Sequence, residues 1–364
     1  MKVPYIDLKG QHASLKREIS SAVDKVFRDS DFILGKSVSE LERKFAAYCG
    51  TRFAAGVNSG TDALFLAMKA LGIGPGDEVI TAPNSFLASA SSIAAAGARP
   101  VFADVRDDMN IDPARIEERV TPRTKAVMPV HLTGKPADMD PIMELARKRN
   151  LHVIEDAAQA VGTEYRGRRA GSFGILNAFS LHPLKTLNAS GDGGMITTDS
   201  EPLYRKCLAL RNIGLKNRQE SDFWGYNSRL DTLQAAIVGR KFGKLGKWLA
   251  QRRKNAALYR KLLDGVVECP REESFEKCSY HLFVIQADRR DSLQEYLLKN
   301  GVETKIHYPI PIHLQKCAQD LGYKRGNFPV AERQSQRILS LPIHQYLSEK
   351  QIRYVASKIL KFYK

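Results

Sequence analysis

The sequence predicts an α/β fold: a large domain built on a mixed, mostly parallel sheet covered by helices, followed by a smaller α/β domain. Between about residue 50 and residue 200, short β-rich segments alternate with helical ones. This pattern is typical of a largely parallel sheet with helices on both faces. The chain has 364 residues, which is enough for about two domains. We therefore expect a large domain over residues 1–240 and a small domain over residues 241–364.

Hydrophobic periodicity and turn residues place the individual elements. In the large domain we predict strands at 78–81, 101–105, 126–130, 152–156, 177–180 and 194–198, and helices at 86–98 and 139–149. Apolar residues then recur at helical spacing from 231 to 263, which predicts one long helix leaving the domain. The remainder predicts a strand at 281–287 and helices at 291–300, 330–339 and 349–363, with an irregular segment at 307–313.

Composition excludes several classes of protein. Hydrophobic residues make up 43% of the chain and charged residues 26%, which is typical of an ordered globular protein. No segment approaches the ~20 apolar residues needed to cross a bilayer, and charged residues interrupt the N-terminus where a signal peptide would be apolar. We therefore expect a cytoplasmic protein with no membrane partner. The five cysteines are scattered without a C-x-x-C motif, so we predict no disulfide framework and no metal site.

The chain carries a net charge of +16, which favours anionic ligands of any kind, from phosphorylated metabolites to nucleic acids. The basic residues are dispersed along predicted helices and do not form a tail or an arm interleaved with aromatic residues. This arrangement is typical of solvated helix faces. We expect no nucleic-acid partner.

Open α/β sheets bind ligands beyond the carboxyl ends of their strands, so polar segments that follow strands are candidate sites. Residues 59–61, Ser-Gly-Thr, precede an apolar helical run. Small residues at a helix N-terminus leave backbone N–H groups free for a phosphate. In isolation, an ordinary N-cap explains the same residues at least as well.

Two further candidates follow the strands at 152–156 and 177–180. Asp156 ends a buried strand, where a carboxylate could hold a proton on a heterocyclic nitrogen or could cap a helix. Lys185 lies in an apolar setting beside glycines, and burial would lower its pKa and free its amine for Schiff-base formation. Most lysines are only solvated surface charges. A phosphate cradle, a carboxylate and a lysine together are what pyridoxal phosphate (PLP) requires of a protein.

Motifs in the same order along nearly the whole chain carry a family resemblance. They are Phe32–Gly35, Ser59–Leu64, Pro100–Val105, Asn110–Pro113, His131–Gly134, Pro136–Met139, Glu155–Ala160, the segment around Lys185, Tyr226–Asp231 and His307–Pro309. With these motifs the chain resembles the DegT/DnrJ/EryC1/StrS family of sugar aminotransferases, which have the aspartate aminotransferase fold type I. The resemblance implies a PLP-binding large domain and transamination, with pyridoxamine phosphate as the intermediate form of the cofactor.

The resemblance also implies roles for individual residues. Lys185 would form the Schiff base with PLP and act as acid and base, and Asp156 would pair with the pyridine nitrogen. Gln159 would lie beside the phenolic oxygen, and Phe86 would stack on the ring.

The phosphate group would be bound by residues from two subunits. The resemblance implies that the backbone of Gly60 and Thr61 and the hydroxyl of Ser180 hold it from one subunit. Asn227, in the polar loop 225–230, would complete the phosphate site from the other subunit. A homodimer with shared active sites would then be the smallest functional unit.

The expected substrates are L-glutamate and the keto or aldehyde form of an anionic sugar. Arg229, His307, Tyr308 and His313 are candidate sugar-binding residues, although an acid partner for the arginine or capped loop histidines would explain them equally well. The segment His182-Pro183-Leu184 departs from many nucleotide-sugar members of the family. It looks more like members that act on unusual sugars, such as the eight-carbon acid sugar of lipopolysaccharide.

Three other functions remain as alternatives. Sugar dehydratases of this family carry histidine where this chain retains Lys185. A non-catalytic regulatory protein of the same fold would be expected to lose Lys185, Asp156 or Gln159, all of which are present. A nucleic-acid binder is suggested only by the charge. We therefore favour transamination.

Overall fold

The computed structural model describes residues 1–364 and is organised around a seven-stranded sheet. The strands of the protein are β1 (Phe53–Val57), β2 (Glu78–Thr81), β3 (Arg99–Phe102), β4 (Thr124–Met128), β5 (His152–Asp156), β6 (Glu164–Tyr165), β7 (Arg168–Arg169), β8 (Leu176–Ser180), β9 (Gly194–Thr198), β10 (Glu276–Lys277), β11 (Phe283–Gln286) and β12 (Ile338–Leu341). The order in the large sheet is β1-β9-β8-β5-β4-β2-β3. The strands β8, β5, β4, β2 and β3 run parallel to one another, and β9 is antiparallel to both β8 and β1. The expected mixed, mostly parallel sheet is thus confirmed.

Helices cover both faces of the large sheet. The helices of the protein are α1 (Leu8–Asp29), α2 (Lys36–Cys49), α3 (Gly60–Ala70), α4 (Leu87–Ala95), α5 (Pro113–Glu117), α6 (Met139–Arg149), α7 (Glu201–Leu210), α8 (Thr232–Phe242), α9 (Leu245–Leu263), α10 (Arg290–Lys299), α11 (Pro329–Arg337) and α12 (Glu349–Tyr363). Alternate residues of one strand point to opposite faces, so Ala178 packs into one apolar cluster with α3 and α7 while Phe179 packs into another with α2, α8 and α9. Short 3-10 turns occupy 132–134, 312–314 and 316–321.

The C-terminal part of the chain has its own core around an antiparallel pair, β11 and β12. The C-terminal half of α9, α10 and α12 pack on this pair, and Val3 from the N-terminus is completely buried in the same cluster. The boundary predicted at residue 240 stays a prediction. Val3, near the start of the chain, nevertheless packs in this C-terminal core.

Most predicted elements agree with the structure within a few residues, and two differ in an instructive way. The predicted helix 231–263 is two helices, because the chain breaks at Gly243 and Lys244 between α8 and α9. Glycine has a low helix propensity, which periodicity alone does not register. The predicted helix 330–339 ends at Arg337, and Ile338–Leu341 instead forms β12. That short apolar run becomes a strand because β11 pairs with it. None of the helices combines the length and the apolar composition that a membrane-spanning segment requires.

Candidate active site

The carboxyl edge of the large sheet brings together Gly60, Asp156, Ser180 and Lys185. Asp156 is the last residue of β5, and Ser180 is the last residue of the parallel neighbour β8. Parallel strands end at the same edge of a sheet, so the two side chains share one region. The Lys185 segment follows β8 directly, and its chain is fixed by hydrogen bonds from Ala189 N to Leu181 O (2.7 Å) and from Lys185 N to His182 O (2.8 Å).

The N-terminus of α3 reaches the same edge because residue 60 is glycine. A Cβ atom at Gly60 would lie 2.7 Å from the Cβ of Ser180, so only glycine allows this approach of helix and strand. Ser59 caps the helix by accepting the backbone N–H of Asp62 at 3.0 Å. The N–H groups of Gly60 and Thr61 have no protein acceptor. The Ser180 hydroxyl and the free N–H groups of Gly60 and Thr61 therefore lie together at the N-terminus of α3, an arrangement that is suited to binding an anion.

Asp156 is buried, and two donors orient its carboxylate. The Ser89 hydroxyl donates to Oδ2 at 2.7 Å, and the backbone N–H of Ala158 donates to Oδ1 at 3.2 Å. Ser89 lies on α4, in the turn that follows Phe86. The helix-cap alternative for Asp156 is not what the structure shows, because the residue ends a strand and begins no helix.

Lys185 has the electrostatic setting of a reactive amine. Burial lowers the pKa of Lys185 to about 8, and the nearby Asp156 carboxylate opposes part of that shift. A neutral amine is therefore accessible near neutral pH.

Gln159 is buried, and one hydrogen bond fixes the orientation of its amide. The backbone N–H of Thr133 donates to Gln159 Oε1 at 2.7 Å. The amide nitrogen then faces the Tyr308 hydroxyl at 3.4 Å. Gln159 consequently presents a donor on the side of Tyr308.

Two aromatic rings and an imidazole, those of Phe86, Tyr308 and His307, lie beside one another near the site. The Phe86 side chain is 55% exposed, and its ring centroid lies 5.5 Å from that of Tyr308. Burial and the Asp156 charge raise the pKa of Tyr308, and the hydrogen bond with Gln159 opposes part of that rise. Burial and the charge of Lys185 lower the pKa of His307 to about 4, so that imidazole is neutral at pH 7. His307 Nδ1 lies 2.8 Å from the Ser340 hydroxyl.

The remaining predicted residues are less closely tied to this centre. Asn227 is exposed on its loop, and the Arg229 guanidinium donates to Asn212 Oδ1 at 3.3 Å and has no acid partner. His313 is buried, with its Nε2 atom 3.0 Å from Glu332 Oε1 and its ring 4.7 Å from that of Phe328. Its side chain thus contacts a separate acid–aromatic pair, so the sugar-binding role of His313 stays a prediction.

Two residues at the site were not predicted. Ser89 orients Asp156, and His281 is a neutral imidazole whose pKa falls well below the ordinary value through burial and the charge of Lys185. For Ser89, the only local signal in the sequence is its position one helical turn after Phe86, a residue that was predicted to belong to the site. Nothing in the sequence around His281 indicates its position.

These residues fit PLP. The helix N-terminus with Ser180 suits its phosphate, Asp156 suits a protonated ring nitrogen, and the Gln159 amide suits its phenolic oxygen. The Lys185 amine suits its aldehyde. Fold and site together define the class of PLP-dependent enzymes.

Comparison with known proteins agrees with this class. The model of the DegT/DnrJ/EryC1/StrS aminotransferase family matches residues 13–360. The chain is 46% identical to the "pleiotropic regulatory protein" of Geobacillus stearothermophilus, over 100% of this chain and 99% of that protein. It is 41% identical to the dTDP-3-amino-3,4,6-trideoxy-alpha-D-glucose transaminase of Streptomyces venezuelae, over 96% and 93% of the two chains.

Among solved structures, the fold is similar to that of S. venezuelae DesV in complex with a ketimine intermediate. The TM-score is 0.98, with 40% identity, covering 100% of this chain and 99% of that chain. Solved relatives also carry the cofactor as PLP or as pyridoxamine phosphate. The chain belongs to the DegT/DnrJ/EryC1/StrS aminotransferase family. It is a PLP-dependent aminotransferase.

Proposed function

We propose that the enzyme transfers an amino group from L-glutamate to the keto or aldehyde carbon of an anionic sugar, in the cytoplasm, for amino-sugar biosynthesis. The observation that carries this proposal is the Lys185 amine, whose pKa burial lowers to about 8, beside the oriented Asp156 carboxylate. PLP, when bound, supplies an aldehyde for amines and a ring that accepts electrons.

The chain's own residues divide the work of the reaction. Asp156, held by Ser89, keeps a proton on the ring nitrogen that it binds. The Lys185 amine accepts a proton from the donor carbon in one half-reaction and donates a proton to the acceptor carbon in the other, which requires a pKa near the working pH. Gly60, Thr61 and Ser180 bind the phosphate and so fix the position at which Lys185 acts.

We further propose a homodimer in which Asn227 of the partner subunit completes each phosphate site. The support is the exposure of this loop: Trp224 is 96% exposed, and Phe223 and Tyr226 are also exposed apolar residues beside it. Exposed apolar surface of this kind is typical of an interaction site. Asn227 makes no side-chain hydrogen bond within its own chain.

Charge and the comparisons support an anionic sugar. The chain has a net charge of +16, and the Arg229 guanidinium has no carboxylate partner. The names of the similar enzymes from S. venezuelae and Acidithiobacillus ferrooxidans refer to dTDP- and UDP-linked sugars. We propose a nucleotide-linked sugar or an eight-carbon sugar acid. Retention of Lys185 disfavours dehydration, and the complete set Lys185, Asp156 and Gln159 disfavours a purely regulatory role.

The test is spectroscopic. Purified enzyme should absorb as a lysine-bound PLP protein, lose that absorbance with L-glutamate and recover it with a keto sugar. Lys185→Ala should keep the fold and lose turnover, and borohydride trapping with peptide mapping should place the cofactor on Lys185. Unchanged absorbance with glutamate would disprove the donor, and a label on another residue would disprove the site.

A second experiment identifies the sugar class. Enzyme that glutamate has converted to its pyridoxamine phosphate form is mixed with dTDP- and UDP-linked keto sugars and, separately, with oxidised eight-carbon sugar acids. Recovery of absorbance with one class only selects that class. If glutamate removes the PLP absorbance and no sugar restores it, the proposed acceptor is disproved.

A further inference from the structure

Lys241, on α8, is a completely buried amine outside the residues assigned so far. It has no carboxylate within ion-pair distance, although a buried charge without an ion pair is costly. Burial lowers the pKa of Lys241 to about 8, so the ammonium form still prevails at pH 7. All its hydrogen bonds go to the segment that follows Lys185.

The contacts of Lys241 lead to the Lys185 main chain through one side chain. Lys241 Nζ donates to Asn188 Oδ1 at 2.5 Å and to the Ala189 carbonyl at 3.5 Å. Asn188, itself buried, donates through Nδ2 to the Lys185 carbonyl at 2.9 Å and to Gln11 Oε1 of α1 at 3.2 Å. The segment that carries Lys185 is thus tied to both α1 and α8.

Hydrogen-bond chemistry permits only this orientation of the Asn188 amide. An ammonium group has donors only, so Lys241 must face the amide oxygen. The amide nitrogen must then face the two acceptors, the Lys185 carbonyl and Gln11 Oε1. A side chain without a donor at position 241 would leave the buried Asn188 amide oxygen unpaired and weaken the hold of this amide on the Lys185 carbonyl.

We propose that Lys241 and Asn188 are positioning residues that hold the Lys185 main chain while its side-chain amine moves during the reaction. The inference rests on the role proposed above for Lys185. The amine must return to one place after each substrate leaves, and a displacement of about 1 Å can cost on the order of 100-fold in rate. The hydrogen bond from Asn188 to the Lys185 carbonyl keeps the main chain of Lys185 in one position, from which the amine can return to the same place.

The effect of Lys241 is geometric. The pKa of Lys185 reflects burial and the Asp156 carboxylate, and the Lys241 charge is not among its causes. Removing Lys241 should therefore lower the rate without moving the pH at which Lys185 titrates.

The experiment compares Lys241→Met, which removes the donor, with Lys241→Gln, which removes the charge and keeps an N–H donor. In cofactor-free protein, hydrogen exchange of the Lys185 and Ala189 amides should accelerate in Lys241→Met. In loaded enzyme, the same variant should lose about ten- to a hundredfold in kcat at unchanged KM for glutamate. Lys241→Gln should recover part of both losses.

Asn188→Ala breaks the same link from its other end, and it carries the test if Lys241→Met does not fold. The double variant should be no slower than Asn188→Ala alone, because both changes interrupt one chain of contacts. Arg240→Met removes a neighbouring exposed cation, and Val26→Ala weakens the packing of α1 on α8. Both controls should keep wild-type exchange in residues 181–190.

Wild-type exchange and kcat in a folded Lys241→Met or Asn188→Ala protein would overturn the proposal. So would full additivity of the two changes, or equal kcat losses in the Val26→Ala control. The exchange measurement needs no cofactor. If borohydride trapping shows that PLP is not bound to Lys185 in the wild-type enzyme, the proposed function fails. The exchange result still tests whether Lys241 and Asn188 hold the Lys185 main chain.

Discussion

The reactivity of the Lys185 amine in cofactor-free protein should reveal its low pKa directly. Only the neutral amine is a nucleophile, and burial favours that form while the Asp156 carboxylate opposes it. The rate of acylation should therefore rise tenfold per pH unit up to about 8 and then level off. Asp156→Asn removes the opposing charge, so it should move the plateau to lower pH. Turnover should fall in the same variant, because the ring nitrogen loses its carboxylate.

The magnitude follows from the two pKa values. With a pKa of about 8, roughly one-eleventh of the Lys185 amine is neutral at pH 7, against roughly one part in 3,000 for a lysine at the ordinary 10.5. At equal access and intrinsic reactivity, Lys185 should react about 300-fold faster than such a lysine at pH 7. The difference should shrink to about twofold at pH 10.5, where half of an ordinary lysine is neutral.

The assay is competitive labelling with acetic anhydride, a small neutral reagent, between pH 6 and pH 10.5, with each lysine measured by peptide mass spectrometry. Exposed lysines in the same sample serve as internal controls, and added PLP should protect Lys185 alone. A Lys185 rate that continues to rise above pH 9.5 would refute the reasoning. So would a plateau that moves to higher pH in Asp156→Asn.

Three more substitutions have predicted effects. Gly60→Ala would put a Cβ 2.7 Å from that of Ser180 and displace the helix N-terminus. PLP affinity, measured by equilibrium dialysis, should therefore fall about tenfold or more, because a hydrogen bond to a charged group contributes about 1.5–3 kcal/mol. Ser89→Ala removes the 2.7 Å bond to Asp156 and should lower kcat in steady-state assays about tenfold or more on the same scale. Glu155→Gln alters a fully buried carboxylate and should reduce the free energy of unfolding in urea by about 3–5 kcal/mol.

The pH dependence of the Glu155 effect has a definite sign. Burial by itself would raise the pKa of Glu155, but the His131 side chain and the backbone N–H groups of Gly171 and Gly174 lower it overall. A lowered pKa in the folded protein stabilises it above the ordinary value of 4.5, and this contribution is lost as the pH falls through the folded value. The stability difference between wild type and Glu155→Gln should therefore shrink in acid.

Each substitution has a matched control in the chain. Gly74→Ala adds a Cβ whose nearest neighbour is 3.6 Å away, and Ser92→Ala removes a buried hydroxyl on α4 that donates to the Ser89 carbonyl and not to Asp156. Glu144→Gln changes an exposed carboxylate on α6. Equal losses in a control and its partner would contradict the corresponding prediction.

The sequence by itself determined the alternation of strands and helices and the segments that carry chemistry. The strands at 78–81, 152–156 and 194–198 and the helices at 139–149 and 349–363 have the predicted bounds. Local periodicity and turn residues act over a few neighbours, so one chain segment contains the information. The helix N-terminus at residues 59–61 and the placement of Asp156 at the end of a strand are of the same kind.

Only the tertiary structure decided which of these segments meet. Ser89 reaches Asp156 across 67 positions of the chain, and Lys241 reaches Asn188 across 53. Such contacts form only when the sheet brings distant helices together. The pairing of β12 with β11 converted a predicted helix end into a strand for the same reason. Burial, which lowers the pKa of Lys185, is likewise a property of the packed chain and not of the residues beside it.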